Sequence, residues 1–347
     1  MSQSQTLRNL SLGEYLLRRY RDAERPYAFS ASTPGEFETW KEAFAARLAA
    51  AMGLLPEACD LDPITLERVD EGSYWREKVL FNSELDMAVV AYVLVPKDLA
   101  AGERRPAILA AHGHGNGKDD VCCIDHGESD RVDKIAELNY GYARELALRG
   151  YVVIAPDWRG FGERRLGGSL PPRDSCNVLF NKGMLFGVNL LTLNVWDAMQ
   201  SVTYLQSRPE VDPDRIGCVG LSYGGTMTLF TTAMDERIKC AVVSGYLNSF
   251  GSFALGRGNF CGAQIPPGLL ADGDMSDVAC LIGPRPLLVE SGIRDTGFPI
   301  DASREAAAAV RRSYEVAGVP ERFDVDEFDA GHRWSGRKAY DWLERWL

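Results

Sequence analysis

Apolar positions along this chain follow two periods, and the order in which they alternate predicts the architecture. Residues 11–24 and 34–52 repeat apolar side chains at spacings of three and four, so that Phe37, Trp40, Phe44 and Leu48 share one helical face. Thr33-Pro34-Gly35-Glu36 before that face has the form of a helix start, with proline in the first turn. Residues 79–82 and 87–95 are strand patterns, with Asn82-Ser83-Glu84 as the expected turn. Beyond them comes 107–111, a short apolar run without alternation, as a strand covered on both faces requires, and further strand patterns follow at 151–155, 215–221, 238–244, 286–290 and 323–328.

Helical patterns separate these runs, over 134–149 with Gly150 closing it, 188–206, from Tyr223 onward, 300–317, and a last amphipathic stretch with Trp334, Tyr340, Trp342 and Trp346. Strands alternating with helices predict an α/β fold whose mostly parallel sheet is wrapped on both faces. Two stretches show no clear period: one reaching to about residue 187, and 246–283, which reads as a cap-like insertion over the site. The expected organisation is an N-terminal helical extension over 1–73 and a catalytic domain over 74–347. The extension could pack on the core, cover the site mouth or form a subunit contact in a homo-oligomer, and its sequence leaves the three open.

Composition narrows the partners. The net charge of -11, with no basic stripe, argues against nucleic acid and against an anionic membrane surface. No apolar run approaches the roughly 18 residues that span a bilayer, and Met1-Ser2-Gln3-Ser4-Gln5 lacks the basic and apolar regions of a signal peptide. Eight cysteines without framework spacing fit reduced thiols, so the expected location is cytoplasmic.

The chemistry centres on Gly220-Leu221-Ser222-Tyr223-Gly224, a G-x-S-x-G spacing that follows an apolar strand and opens a helix. Gly220 and Gly224 leave room where strand and helix backbones meet, and Ser222 is delivered at the carboxyl edge of the sheet. A serine hydroxyl needs a base, itself oriented by a third group. Of four histidines, His332 lies in the loop after the last strand pattern, the place expected from a serine, acid, histidine chain order. Asp295 is the first acid in the loop after 286–290, with Glu290 and Asp301 as competitors and a helix cap as the plainer role. The backbone amides of Tyr223 and His114 are the expected oxyanion donors, His114 being set between Gly113 and Gly115. Trp158, Phe161, Phe250, Phe253 and Phe260 are candidate pocket walls, with core packing as the alternative. His112, His114, Cys122, Cys123, Asp125 and His126 cluster in sequence, but their spacing matches no familiar zinc pattern, so no metal is expected.

Together His112-Gly113-His114-Gly115, Pro156-Asp157-Trp158-Arg159-Gly160-Phe161-Gly162, Gly220-Leu221-Ser222-Tyr223-Gly224-Gly225, Asp295 and Gly331-His332 resemble an α/β-hydrolase. Within that superfamily they resemble dienelactone-hydrolase-like and acetyl xylan esterase-like bacterial serine carboxylesterases. The resemblance covers about residues 75–347 and implies an eight-stranded sheet, a serine triad and no cofactor. Dienelactone hydrolases carry cysteine where this chain has Ser222, which favours ordinary small-molecule esters as substrates. The rivals are a serine peptidase or acylaminoacyl hydrolase, for which no screening domain is evident, and a non-catalytic binding module, against which the complete triad set argues.

Overall fold

The computed structural model describes residues 9–167, 172–256 and 260–347. The chain enters through two helices, α1 (Leu12–Asp22) and α2 (Pro34–Met52). Thr33 caps α2 by accepting from the Glu36 amide, and proline occupies its first turn. Its face of Phe37, Trp40, Phe44, Leu48 and Met52 is buried, joining one hydrophobic core with residues of the central strands. Each such side chain contributes about 1.5–3 kcal/mol through burial. By contrast α1 buries nothing and is held through the Tyr20 hydroxyl, which donates to Asp274 at 2.6 Å.

An antiparallel meander follows: β1 (Ile64–Asp70), β2 (Tyr74–Glu84) and β3 (Met87–Pro96). The turn falls at Leu85 and Asp86, not at 82–84, because Asn82 and Glu84 still pair with Ala88 and Met87. Next come β4 (Arg105–Ala111), a short helix α3 (Lys118–Val121), α4 (Ser129–Glu137), α5 (Tyr142–Leu148) and β5 (Val152–Pro156). The single helix expected over 134–149 is thus two. Asn139 adopts the left-handed conformation, φ 49°, and donates its side-chain amide to the Trp334 carbonyl, which breaks the helix between them.

The stretch expected to be irregular up to 187 contains helix α6 (Pro172–Met184), and α7 (Leu190–Ser207) follows, capped by the Asn189 side chain. The remaining elements are β6 (Val211–Leu221), α8 (Tyr223–Met234), β7 (Ile238–Ser244), α9 (Met275–Cys280), β8 (Leu287–Gly292), α10 (Ile300–Val316), β9 (Phe323–Phe328) and α11 (Ala339–Trp346). The described part of 246–283 holds α9 and several single turns but no strand. Trp334 precedes α11 and is fully buried.

The nine strands of the described residues form one sheet in the order β1-β2-β3-β5-β4-β6-β7-β8-β9, antiparallel up to β5 and parallel from β5 to β9. This is the mostly parallel α/β sheet expected, with one strand more than the eight implied. The addition, β1, lies inside the segment expected to be purely helical. From β4 the chain steps outward to β5 and then returns to the other side of β4 with β6. That reversal opens a crevice at the carboxyl ends of β4 and β6, where open α/β sheets bind ligands. No described helix is long and apolar enough to cross a membrane.

Candidate active site

Ser222 stands at the carboxyl end of β6 with φ 64°, a left-handed conformation costly for any residue with a Cβ, by about 1–3 kcal/mol. The surrounding backbone imposes it. The Ser222 amide donates to the Ser244 carbonyl of β7 at 3.0 Å, while its own carbonyl accepts from Thr226 in α8. A Cβ on Gly220 would stand 2.5 Å from the Gly224 carbonyl group and 2.6 Å from the Ala111 oxygen. One on Gly224 would run into that same Ala111 oxygen. These are backbone atoms with nowhere to go, so both glycines are sterically required.

The loops after β8 and β9 bring the acid and the histidine together. Asp295 Oδ2 lies 2.6 Å from His332 Nδ1, and Asp295 is almost fully buried. Its other oxygen accepts from the Gly297 and Phe298 amides at 2.7 and 3.1 Å, which fixes the carboxylate plane. With Nδ1–H donated to the carboxylate, Nε2 of His332 is left as the basic nitrogen. Asp295 does not cap α10, whose N-cap is Pro299. Asp301 sits in the first turn of α10 with its side chain exposed. Glu290 is fully buried and accepts from the Ser335 and Gly336 amides at 3.1 and 2.9 Å, so it anchors the loop that carries His332. Burial pushes the Glu290 carboxyl up to about 7, against those two amide bonds, which favour its charged form.

Gly245 links the two halves of the site. A Cβ there would meet Leu221, just before the serine, at 2.9 Å and the His332 ring at 3.1 Å. The face of His332 stacks on Phe298, centroids 5.5 Å apart and planes within 19°, and Phe298 stacks in turn on Phe253. The Ser222 hydroxyl makes no hydrogen bond among the described residues.

Opposite the elbow, the loop after β4 is braced on every side. Gly113 must be glycine, since a Cβ would lie 2.8 Å from the Leu221 carbonyl and 3.3 Å from Ser222 Cβ. Its amide donates to Tyr140 Oη at 2.5 Å, while Tyr142 Oη donates to the Ala111 carbonyl. His112 is fully buried, and its Nδ1–H donates to the Gly113 carbonyl while Nε2 accepts from the Trp158 amide at 3.1 Å. Burial lowers its pKa, consistent with a neutral ring in a structural role. Behind it, Asp157 accepts from the Lys118 amide and ammonium, both at 2.8 Å, and Glu163 closes the network. Burial opposes the charge on Lys118, but the two carboxylates outweigh it and raise its pKa. Among the described residues neither the His114 nor the Tyr223 amide finds an acceptor, so both N–H groups remain available to a ligand.

The expected pocket walls turn out to be mostly packing. Trp158, Phe161, Phe250 and Phe253 are at most 2% exposed, and Phe161 lies against His112, His114 and Tyr223 beneath the loop after β4. Trp158 donates its indole N–H to the His112 carbonyl and braces that loop. Phe260 alone keeps a partly open face. Sequence reasoning missed Tyr140 and Phe298, whose positions no spacing rule marks, and weighed Glu290 only as a competing acid, not as the anchor of the His332 loop. It also missed the group formed by His114, Cys176 and Cys261, three residues far apart in the chain. The cluster 112–126 does not assemble, for His112 braces its own loop and His126 pairs with Asp119 at the surface.

A doubly wound sheet with a strained serine after its central strand and an acid–histidine pair on later loops defines an α/β-hydrolase. The sequence profile of the Abhydrolase family matches residues 6–345, and the chain belongs to that family. It is 28% identical over 309 residues to YtaP of Bacillus subtilis (strain 168), which carries the name of a hydrolase, covering 85% of this chain and 96% of that one. A Bacteroides fragilis protein assigned as an acetyl xylan esterase has the same fold, with TM-score 0.78, 21% identity, and 94% and 84% of the two chains covered. A glucuronoyl esterase from Teredinibacter turnerae is similar at TM-score 0.64 and 17% identity, over 94% of this chain and 88% of its own.

Proposed function

We propose that the chain is a serine carboxylesterase that hydrolyses small-molecule carboxylic esters through an acyl-enzyme, without a cofactor. Ser222 Oγ attacks the ester carbonyl while His332 Nε2 takes its proton. Asp295 holds the imidazole in the tautomer that can accept that proton and stabilises the imidazolium that results. The His114 and Tyr223 amides receive the negative charge that develops on the carbonyl oxygen, a contribution of about 10²–10³ in rate per donor. His332 then protonates the leaving alcohol, and water repeats the sequence on the acyl group. The observation that carries this reading is the 2.6 Å Asp295–His332 pair, held at the same sheet edge as the strained Ser222. The esterase names of the two structural neighbours support the ester class, and the net charge of -11 supports a small molecule over nucleic acid or an anionic membrane.

The test combines a fluorophosphonate probe with p-nitrophenyl esters of graded acyl length. The probe is expected on Ser222, and Ser222→Ala is expected to lose labelling and to lower ester turnover by at least about 10³-fold. Turnover retained within tenfold in that variant, or labelling of a different serine, would sink the proposal. Faster cleavage of aminoacyl anilides than of esters would move the assignment to a peptidase.

A further inference from the structure

Beside the oxyanion loop, three side chains from separate parts of the chain converge: His114 from the loop after β4, Cys176 from α6, and Cys261 from the 246–283 insertion. Their donor atoms all lie within 4.8 Å of one another. The two sulfurs are 2.8 Å apart, and Cys176 Sγ is 3.8 Å from His114 Nε2. Both cysteines are fully buried.

The flanking backbone is built to hold them there. Asn177 Oδ1, one residue after Cys176, accepts from the amide of Gly262, one residue after Cys261, at 3.0 Å. A Cβ on Gly262 would strike the Phe180 ring of α6, and one on Gly160 would stand 3.2 Å from Cys176 Cα. Two segments 85 residues apart in sequence are therefore clamped with their thiols face to face.

The geometry points to a thiol-oxidation site in which Cys176 and Cys261 form a reversible disulfide on exposure to a hydroperoxide. A zinc ion bound by two thiolates at about 2.3 Å in tetrahedral geometry would set the sulfurs about 3.8 Å apart. The observed separation lies nearer the ~2.05 Å of a covalent bond. The hydrogen bond between the two thiols draws the Cys261 pKa below the ordinary thiol range, with burial opposing and His114 assisting, which makes Cys261 the attacking thiol of the pair.

Cys261 thiolate attacks the outer peroxide oxygen and breaks the O–O bond, giving a sulfenic acid and an alkoxide or hydroxide that leaves with a proton. Cys176 sulfur then displaces the sulfenic hydroxyl, which departs as water with the Cys176 proton. In sum, two thiols lose two electrons and two protons, and one hydroperoxide becomes water and an alcohol, or two waters from hydrogen peroxide. A dithiol reverses the change by exchange.

The chemistry is independent of ester turnover and is read by mass. The full-length chain treated with hydrogen peroxide is expected to lose two hydrogens, regained with dithiothreitol, and its digest to contain one peptide linking Cys176 to Cys261. In Cys176→Ser the cross-link is expected to vanish while dimedone traps a sulfenic acid on Cys261, and in Cys261→Ser neither product forms. The wild-type measurement needs no variant, which guards against misfolding of the substitutions. Eight thiols still titrating in the denatured, peroxide-treated chain would overturn the proposal. So would a cross-link between other cysteines, or uptake of one equivalent of zinc by the reduced chain that blocks oxidation and is lost in either serine variant.

Discussion

At the residue scale, Asp295 spends its two oxygens on different tasks. Oδ1 accepts the Gly297 and Phe298 amides and shapes the loop, whereas Oδ2 meets His332. Asp295→Asn keeps an oxygen for the loop but replaces the acceptor that fixes the imidazole. Ester turnover near neutral pH is expected to fall by about 10³–10⁴ while the thermal midpoint stays close to that of wild type. Steady-state kinetics and a melting curve check both halves, and a large loss of stability without a rate defect would contradict this division. Ser222, His332 and Asp295 were legible as candidates because the serine sits in a sterically forced motif and the acid and histidine stand in the chain order expected after it, and the structure pairs that acid with that histidine. Tyr140 and Phe298 were not, and Glu290, legible only as a competing acid, could not be read as the anchor of the His332 loop. Their roles are hydrogen bonds and ring contacts made across the fold, and a tyrosine, a phenylalanine or a buried glutamate has no local signature for such a contact.

At the scale of elements, the parallel strands were legible because continuous apolar runs have one explanation in a wrapped sheet. Helices were less so. Residues 134–149 keep a helical period across a break set by the left-handed Asn139 and its bond to Trp334, a tertiary contact that the period does not register. In α6 the reverse holds: mixed polarity hides a helix stabilised by its neighbours. The strand–turn–helix of β6 and α8 is the most demanding join in the molecule, since Gly224 leaves no room for a methyl group against Ala111. Gly224→Ala must push β4 and α8 apart, and its cost is expected to be about 3 kcal/mol or more, seen as a lower urea midpoint. A midpoint unchanged from wild type would mean that the elbow is looser than its contacts indicate.

Across the whole molecule, the sheet order places the loops after β4, β6, β8 and β9 along one edge, and Glu290 couples two of them from inside. Its carboxyl is ordinary in the unfolded chain and raised to about 7 when folded, so the folded state holds this proton more tightly. Stability from this group is present at low pH and is lost as pH rises from about 4.5 to about 7, by an amount on the order of 3 kcal/mol. Glu290→Gln removes the titration. Relative to the variant, wild type is expected to lose stability between pH 5 and pH 8, and paired urea unfolding at those two values reads the difference. A gap constant with pH would rule out the buried, protonated form.

The aromatic face of α2, in which Trp40 stacks on Phe44 at 5.4 Å, sits in the same core as strand residues contributed by the sheet. The helical leader is therefore not a detachable appendage. Any expression boundary drawn at the first strand would strip a lining from the molecule's interior and leave a greasy scar where it had been. Shortened versions should be recovered from inclusion bodies, however intact their catalytic machinery looks on paper.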